Sequence, residues 1–299
     1  MFSLSTSWNS ARHTSGYELI DEVKSIGFDT VELGFALTER IVKDILSLKE
    51  DSKIKVVSLH NICPLPKEIE PDEASPDYYS LASPDEEERA LAVEAAKNTI
   101  ACARRFEARA VVLHTGRVQV KDRMRGLADV VSERSAFDAL RSQMVREREE
   151  KKDGYLDNVI RSLGALIPYA KEMGVALAIE NRYYYREIPL IEELEEIFKN
   201  FKAGDIFYWH DVGHGQVFEN LGLAKHVDYL ERFQNRLLGM HLHDIIYPIT
   251  DHRPPGKGSF DFRIVKPYVS EDTIKVLEVH QPATPDEVRR GADYLGKFL

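Results

Sequence analysis

Histidine and carboxylate side chains recur in this sequence directly after short apolar segments. One His or Glu in such a place is more often a hydrogen-bonded or solvated residue than a metal ligand. Here the placement repeats from segment to segment, at Glu32 (TVELG), His60 (VSLHN), His114 (VVLHTG), Glu180 (LAIEN), His210 and Asp211 (YWHDVGH), His241 and His243 (GMHLHD) and Glu278 (KVLEVH). Because buried carboxylates are costly unless they are paired or bound to a metal ion, these residues predict a cation site if the segments converge.

The apolar segments before these residues are predicted β-strands, and amphipathic helical segments alternate with them along the chain. Each is short and nearly all apolar, which is typical of strands buried on both faces. The predicted strands cover residues 2–7, 30–33, 54–59, 110–113, 175–179, 206–209, 237–242 and 273–279. The predicted helices cover residues 16–26, 38–50, 84–107, 155–173, 189–201, 222–234, 261–268 and 284–298. Ser83 and Thr284, each followed by Pro, are predicted helix N-caps.

Eight such strand–helix units in 299 residues predict an α/β fold, a closed (β/α)8 TIM barrel that forms a single domain over residues 1–299. In this fold the carboxyl ends of the strands surround the active site. The first strand is not followed by GxGxxG and the chain lacks GxxxxGK[ST], which disfavours a dinucleotide or P-loop site. Residues 116–153, after the fourth strand, predict an inserted charged helical segment, either a solvated surface helix or a subunit contact.

Composition excludes several classes of protein. Hydrophobic residues make up 43% of the chain, too many for a disordered protein, and two Cys predict neither a disulfide framework nor a Cys-based zinc site. The apolar stretches are far shorter than the ~18 residues of a membrane helix, and the N-terminus lacks a signal-peptide pattern. We therefore expect a cytoplasmic protein without a membrane partner. The net charge of −10 disfavours nucleic acid as its partner.

The order of the later motifs resembles that of the xylose-isomerase-like TIM-barrel superfamily. These motifs are Glu after strand five, Asp-x-x-His after strand six, His-Leu-x-Asp at strand seven, a Pro-Gly-x-Gly turn and Glu at strand eight. The superfamily includes sugar isomerases and epimerases, inosose dehydratases and the AP endonuclease named endonuclease IV. The resemblance implies one divalent metal ion with four ligands, namely Glu180, Asp211, His241 and Glu278. Three carboxylates and one imidazole suit Mn, Mg, Co or Zn. His243 occupies a variable position, where we expect it to support a ligand.

The resemblance also implies a function in carbohydrate metabolism, as an isomerase or epimerase of a keto sugar or related polyol. The metal would polarise the carbonyl group and stabilise an enediolate. One of Glu180 and Glu278 would remove the proton and the other would return it. Four residues match substrate-shell positions, namely His60, His114, His214 and Arg253. Trp8 and residues 183–185 are candidates either for walls of a sugar site or for packing. A homo-oligomer is implied by the resemblance alone.

Two other enzymatic functions, and a barrel that binds a ligand without catalysis, remain open. Endonuclease IV resembles the same pattern but holds three zinc ions, and four residues match its additional ligand positions, namely His60, His114, His214 and His252. The acid expected two residues before His252 is replaced by Thr250, with Asp251 one residue late, so the third zinc site is incomplete in the sequence. An inosose-type dehydratase begins with the same proton abstraction and would use the same residues.

Overall fold

Eight parallel strands close into a barrel, as the sequence predicts, in a computed structural model that describes residues 2–299. The first and last barrel strands pair through Leu4 and Leu277, which completes the ring of backbone hydrogen bonds. The barrel strands are β1 (Ser3–Ser5), β2 (Thr30–Leu33), β3 (Lys55–His60), β4 (Ala110–Leu113), β5 (Ala176–Glu180), β6 (Phe207–Asp211), β7 (Leu237–Leu242) and β10 (Ile274–Leu277). A hairpin of β8 (Asp244–Ile246) and β9 (Thr250–Arg253) follows β7.

Ten α-helices within residues 2–299 connect and cover these strands. They are α1 (Gly16–Ser25), α2 (Glu39–Glu50), α3 (Glu86–Phe106), α4 (Met124–Asp129), α5 (Arg134–Glu149), α6 (Tyr155–Met173), α7 (Ile191–Asn200), α8 (Val212–Asn220), α9 (His226–Phe233) and α10 (Pro285–Leu295). None of these described helices combines the length and the apolar character that crossing a membrane requires.

The structure corrects the prediction for residues 261–268, which form only a short 3-10 turn at Lys266–Tyr268. Pro267 removes a backbone N–H from the predicted helix. The Asp261 side chain also accepts a hydrogen bond from the backbone N–H of Arg263, and such local bonds compete with helix formation. The prediction for 222–234 is too long, because α9 begins only at His226.

Helix caps follow the sequence at α10 and differ from it at α3. Thr284 caps α10 and forms a reciprocal capping box with Glu287, as its position predicts. At α3 the N-cap is Asp85 rather than Ser83, because the Asp85 carboxylate accepts two backbone N–H groups of the first turn. Ser83 lies before the cap and donates to the side chain of Glu88 at 2.7 Å.

Two groups of apolar side chains form the core. The larger group lies between the strands and the surrounding helices. The smaller group comes from β4, β5, β6 and β10 and fills the barrel interior, where Trp209 is its largest side chain. Gly239 on β7 makes room for that indole, since a Cβ at this position would lie 2.3 Å from the ring. Trp209 therefore forms a packed floor beneath the carboxyl ends of the strands.

The inserted segment consists of α4 and α5, and it is anchored more firmly than a solvated surface helix. Arg148 near the end of α5 is buried and pairs with Glu193 on α7, with N–O distances of 2.8 Å. Its guanidinium also donates to the backbone carbonyl of Glu187 at 3.0 Å. The insertion is thus fixed to the loop between β5 and α7, which borders the strand ends.

We expect Arg148→Ala to lower the free energy of unfolding by about 3 kcal/mol or more, because Glu193 would lose its partner in a nearly buried position. Arg134→Ala on the same helix is the matched control, since the Arg134 side chain is 96% exposed. This control should change stability by no more than about 0.5 kcal/mol. Urea unfolding of both variants measures the difference. Equal unfolding midpoints would show that the buried ion pair does not anchor the insertion.

Candidate active site

Four predicted metal ligands meet at the carboxyl ends of the barrel strands. Glu180 and Asp211 are the last residues of β5 and β6, His241 lies opposite Asp211 in the β6–β7 register, and Glu278 directly follows β10. All four are buried, and one donor atom from each lies within 4.8 Å of the others. Because parallel strands end at the same edge, residues far apart in sequence converge here.

The imidazole of His241 lies between the carboxylates of this group. Its Nδ1 is 2.7 Å from Glu180 Oε1, 3.0 Å from Glu278 Oε2 and 3.8 Å from Asp211 Oδ2. Its Nε2 is 2.9 Å from Glu32 Oε1 on β2. A carboxylate behind a ligating imidazole fixes the orientation of the ring. Glu32 therefore directs Nδ1 of His241 toward the other three carboxylates.

The charges around His241 fit a bound cation. Burial by itself would raise the pKa values of Glu180 and Glu278, but the His241 imidazole holds both pKa values well below the usual range. Burial would likewise lower the pKa of His241, but Glu278, Glu32 and Glu180 raise it well above its usual value. With Asp211, four buried carboxylates face this imidazole. Buried carboxylates are retained when cations compensate them, and oxygen-rich donors of this kind suit a divalent metal ion.

A second group of donors extends from Glu180 toward β3 and β4. His60 Nε2 and His114 Nε2 lie 3.4 and 2.7 Å from Glu180 Oε2. Each Nδ1 faces an oxygen, that of the Asn61 carbonyl for His60 and that of Asp77 for His114. Burial and Arg182 by themselves would lower the pKa of His114, but Asp77 and Glu180 raise it above its usual value, because both ring nitrogens face carboxylate oxygens.

A third group lies on the other side of the site and includes residues of the β8–β9 hairpin. Donor atoms of Asp211, His214 and His252 lie within 4.8 Å of one another. Asp251 joins them, with Oδ2 at 3.0 Å from His252 Nδ1 and 3.9 Å from His214 Nε2. Asp251 thus provides the acid beside His252, while Thr250 is exposed. His252 has φ 51°, and this left-handed backbone interrupts the alternation of sides along β9.

Two further histidines in the strand-end motifs have different surroundings. His243 Nε2 lies 3.0 Å from Asp211 Oδ1, so it supports a predicted ligand. This contact needs Gly213 in α8, because a Cβ there would lie 1.9 Å from the His243 ring. The two glycines of α8 make the segment resemble a turn, which explains why the sequence did not predict this helix. His210 faces away from the site, and its Nε2 lies 2.8 Å from His226 Nε2.

Three other predicted positions lie outside the cavity at the strand ends. Arg253 ends β9 but is absent from the cavity lining formed by the described residues. Trp8 is fully buried and donates its indole N–H to the Ala283 carbonyl at 2.9 Å, so it is a packing residue. Tyr185 packs near Phe218 instead of facing the cavity.

The cavity above the site has a volume of about 530 Å³. Its lining includes the predicted residues His60, His114, His214, His252, Glu180, Glu278, Tyr183 and Tyr184. Sequence reasoning missed its other polar residues. His280 stacks on His252 with 3.8 Å between ring centroids, and Asp77 and Arg182 form a buried ion pair at 2.5 Å. His280 lies two residues after Glu278, and this spacing from a predicted ligand could have identified it as a cavity residue. The loop that carries Asp77 contains no motif that indicates a site.

Sequence comparisons match the chain to a family model and to curated proteins. A sequence model described as the xylose isomerase-like TIM barrel matches residues 20–298. The uncharacterized protein MJ1614 of Methanocaldococcus jannaschii is 26% identical over 132 residues, which cover 44% of this chain and 49% of that protein. The chain spans about half the length of the curated relatives it matches.

Solved structures resemble this chain over nearly its whole length. A D-tagatose 3-epimerase-like protein has a TM-score of 0.70 at 20% identity, covering 99% of this chain and 96% of that chain. L-ribulose 3-epimerase has a TM-score of 0.65 at 15% identity, with 98% and 86% covered. The IOLI protein with a bound zinc atom has a TM-score of 0.66 at 14% identity, with 100% and 99% covered. These likenesses establish the fold, and the family match over residues 20–298 goes further: the chain belongs to the xylose isomerase-like TIM barrel family.

Proposed function

We propose that this chain is a divalent-metal-dependent isomerase or epimerase of a keto sugar or related polyol. The convergence of Glu180, Asp211, His241 and Glu278 within 4.8 Å, beneath a cavity of about 530 Å³, is the observation that supports it. A cavity of this size suits a small molecule. Sugar epimerases among the similar structures support the same class of reaction.

The proposed metal site has four ligands, and it leaves space on the cavity side. Glu180, Asp211, His241 and Glu278 would hold one ion of Mn, Zn, Co or Mg. A zinc atom in one similar structure supports this assignment. A bound divalent ion supplies Lewis-acid polarisation of a substrate carbonyl. Glu32 and His243 keep two of the ligands in place, through contacts to His241 and Asp211.

Glu180 and Glu278 are the proposed acid and base. They lie at the carboxyl ends of β5 and β10, which β6 and β7 separate in the barrel, and both line the cavity. A sugar bound between them presents opposite faces of the reacting carbon. One carboxylate removes the proton beside the carbonyl and the other returns a proton from the opposite side, which inverts the configuration. Return of the proton to the former carbonyl carbon gives aldose–ketose isomerisation instead.

The metal assignment predicts one bound ion per chain. Protein purified without added ions should contain about one equivalent of divalent metal by elemental analysis. Asp211→Asn should weaken metal binding by roughly tenfold or more, because it removes a charged oxygen ligand. Asp138→Asn on the exposed face of α5 is the control and should leave the metal content unchanged. Equal metal content in the two variants would contradict the ligand assignment.

The acid–base assignment predicts the loss of solvent exchange. Glu278→Gln should reduce deuterium incorporation from D2O into a keto-sugar substrate by roughly 100-fold or more, because an amide cannot exchange the proton. Glu271→Gln, at an exposed position just before β10, is the matched control. Circular dichroism should show the same fold in both variants. Exchange at the wild-type rate in Glu278→Gln would remove this residue from the mechanism.

A second candidate, a zinc-dependent AP endonuclease of the endonuclease IV type, is favoured by the two flanking donor groups. His60 and His114 adjoin Glu180, and His214 and His252 adjoin Asp211, so three ions could share these carboxylates. Three equivalents of zinc together with cleavage of abasic-site DNA would favour this candidate over the isomerase. An inosose-type dehydratase uses the same first proton transfer, and loss of water from the substrate would identify it.

A further inference from the structure

The cavity has walls of opposite charge. The wall at the strand ends carries the carboxylates of the proposed metal site. The facing wall is built by the connections after β4 and β5 and includes three arginines, namely Arg117, Arg182 and Arg186. Neither the proposed metal site nor the proton transfer uses these arginines, so their shared position requires a separate explanation.

Arg182 neutralises the carboxylates of its own wall. It is buried, and its Nη2 lies 2.5 Å from Asp77 Oδ2 and 2.8 Å from Glu187 Oε1. The other oxygen of Glu187 accepts the backbone N–H of Tyr184 at 2.8 Å. The Arg182 guanidinium thus pairs with both Asp77 and Glu187. Neither of these two carboxylates forms an ion pair within 4.0 Å with Arg117 or Arg186.

Arg117 and Arg186 lie on chain segments that are hydrogen-bonded to each other. Val118 N donates to the Arg186 carbonyl at 2.8 Å, and residues 117 and 187 form an antiparallel bridge. Among residues 2–299, ion pairs within 4.0 Å include Arg182 but neither of these two arginines. The Arg186 guanidinium lies 5.6 Å from the centre of the Tyr184 ring, which supports it from one side. Two guanidinium groups that form no ion pair within 4.0 Å therefore border the cavity together, and of the two it is Arg117 whose charge also acts on Asp77 from a longer distance.

We infer that Arg117 and Arg186 bind the phosphate group of a phosphorylated keto sugar. This inference rests on the proposed function for the sugar end of the substrate. A phosphate monoester carries a charge of about −1.5 to −2 at pH 7, which matches two guanidinium groups that form no close ion pair better than a single carboxylate would. Arginine forks bind phosphate oxygens in pairs.

A chain of hydrogen-bonded side chains joins the proposed metal site to the arginine wall. From Glu180 to Arg182 the path crosses one imidazole and one carboxylate, those of His114 and Asp77. The carbonyl end of the substrate would reach Glu180 and the metal ligands, and the phosphate would lie at the arginine wall. Phosphorylation of the substrate would then contribute binding at a point remote from the reacting carbon.

Binding of inorganic phosphate tests the arginine site directly. Isothermal titration should detect phosphate binding to the metal-free protein, and Arg117→Gln and Arg186→Gln should each weaken it by about tenfold, the loss of one charge-assisted contact. Arg134→Gln, with a 96% exposed side chain, is the control and should bind as the wild type does. Equal binding by all three variants, or binding that requires the metal, would overturn the inference. Displacement of phosphate by an oligonucleotide but not by a sugar phosphate would overturn it as well.

Solvent-exchange kinetics separates this inference from the proposed function. The wild type should exchange deuterium into a ketose phosphate at a lower KM than into the unphosphorylated ketose, and Arg186→Gln should reduce this preference by about tenfold. Arg134→Gln should keep the preference. Equal KM values for the ketose phosphate and the unphosphorylated ketose in the wild type would refute the phosphate site and leave the proposed function standing. Phosphate binding that depends on the arginines, with no exchange into any keto sugar, would refute the proposed function and leave the phosphate site standing.

Discussion

Four carboxylates are buried around the imidazole of His241, and the arrangement of the carboxyl end of the barrel depends on compensating their charge. Each carboxylate has a further partner. Ser58 donates to Glu32 at 2.7 Å, His114 contacts Glu180, His243 contacts Asp211, and His252 Nε2 lies 3.6 Å from Glu278. Unpaired, these groups would oppose folding, since burial of an uncompensated charge costs several kcal/mol. The imidazoles that line the site therefore contribute to stability as well as to any metal binding.

The same requirement extends from the strand ends into the loops. Asp77 faces His114 on one side and Arg182 on the other, and Arg182 also pairs with Glu187. The side chain of Arg148, in the insertion, donates to the backbone carbonyl of Glu187. Charge compensation thus links the long loop after β3, the loop after β5 and the inserted helices into one structure. The insertion after β4 helps to fix a cavity wall, although its own surface is mostly solvated.

Opposite charges on facing cavity walls connect the proposed chemistry with the proposed substrate. A carboxylate-rich wall with a divalent ion favours carbonyl and hydroxyl oxygens, whereas arginines favour anions. A ligand with both kinds of group is held at two points, which fixes the reacting carbon relative to Glu180 and Glu278. The flanking donor groups around His60 and His252 share carboxylates with the central group, so the two proposed functions, with one and with three metal ions, draw on the same residues.

The sequence alone predicted the barrel and the four residues that converge at its carboxyl end, Glu180, Asp211, His241 and Glu278. Strand burial and the position of a polar residue at a strand end are local properties, so both can be inferred from the sequence. The eight strands lie within two residues of their predicted ends. Features that depend on contacts between distant segments could not be predicted in this way. Asp77 and Arg182 are 105 residues apart, the left-handed backbone of His252 places Asp251 in the site, and α8 tolerates its glycines because His243 fills the space beside Gly213. Only the closed barrel, by bringing these segments together, decided which charges are paired and which face the cavity.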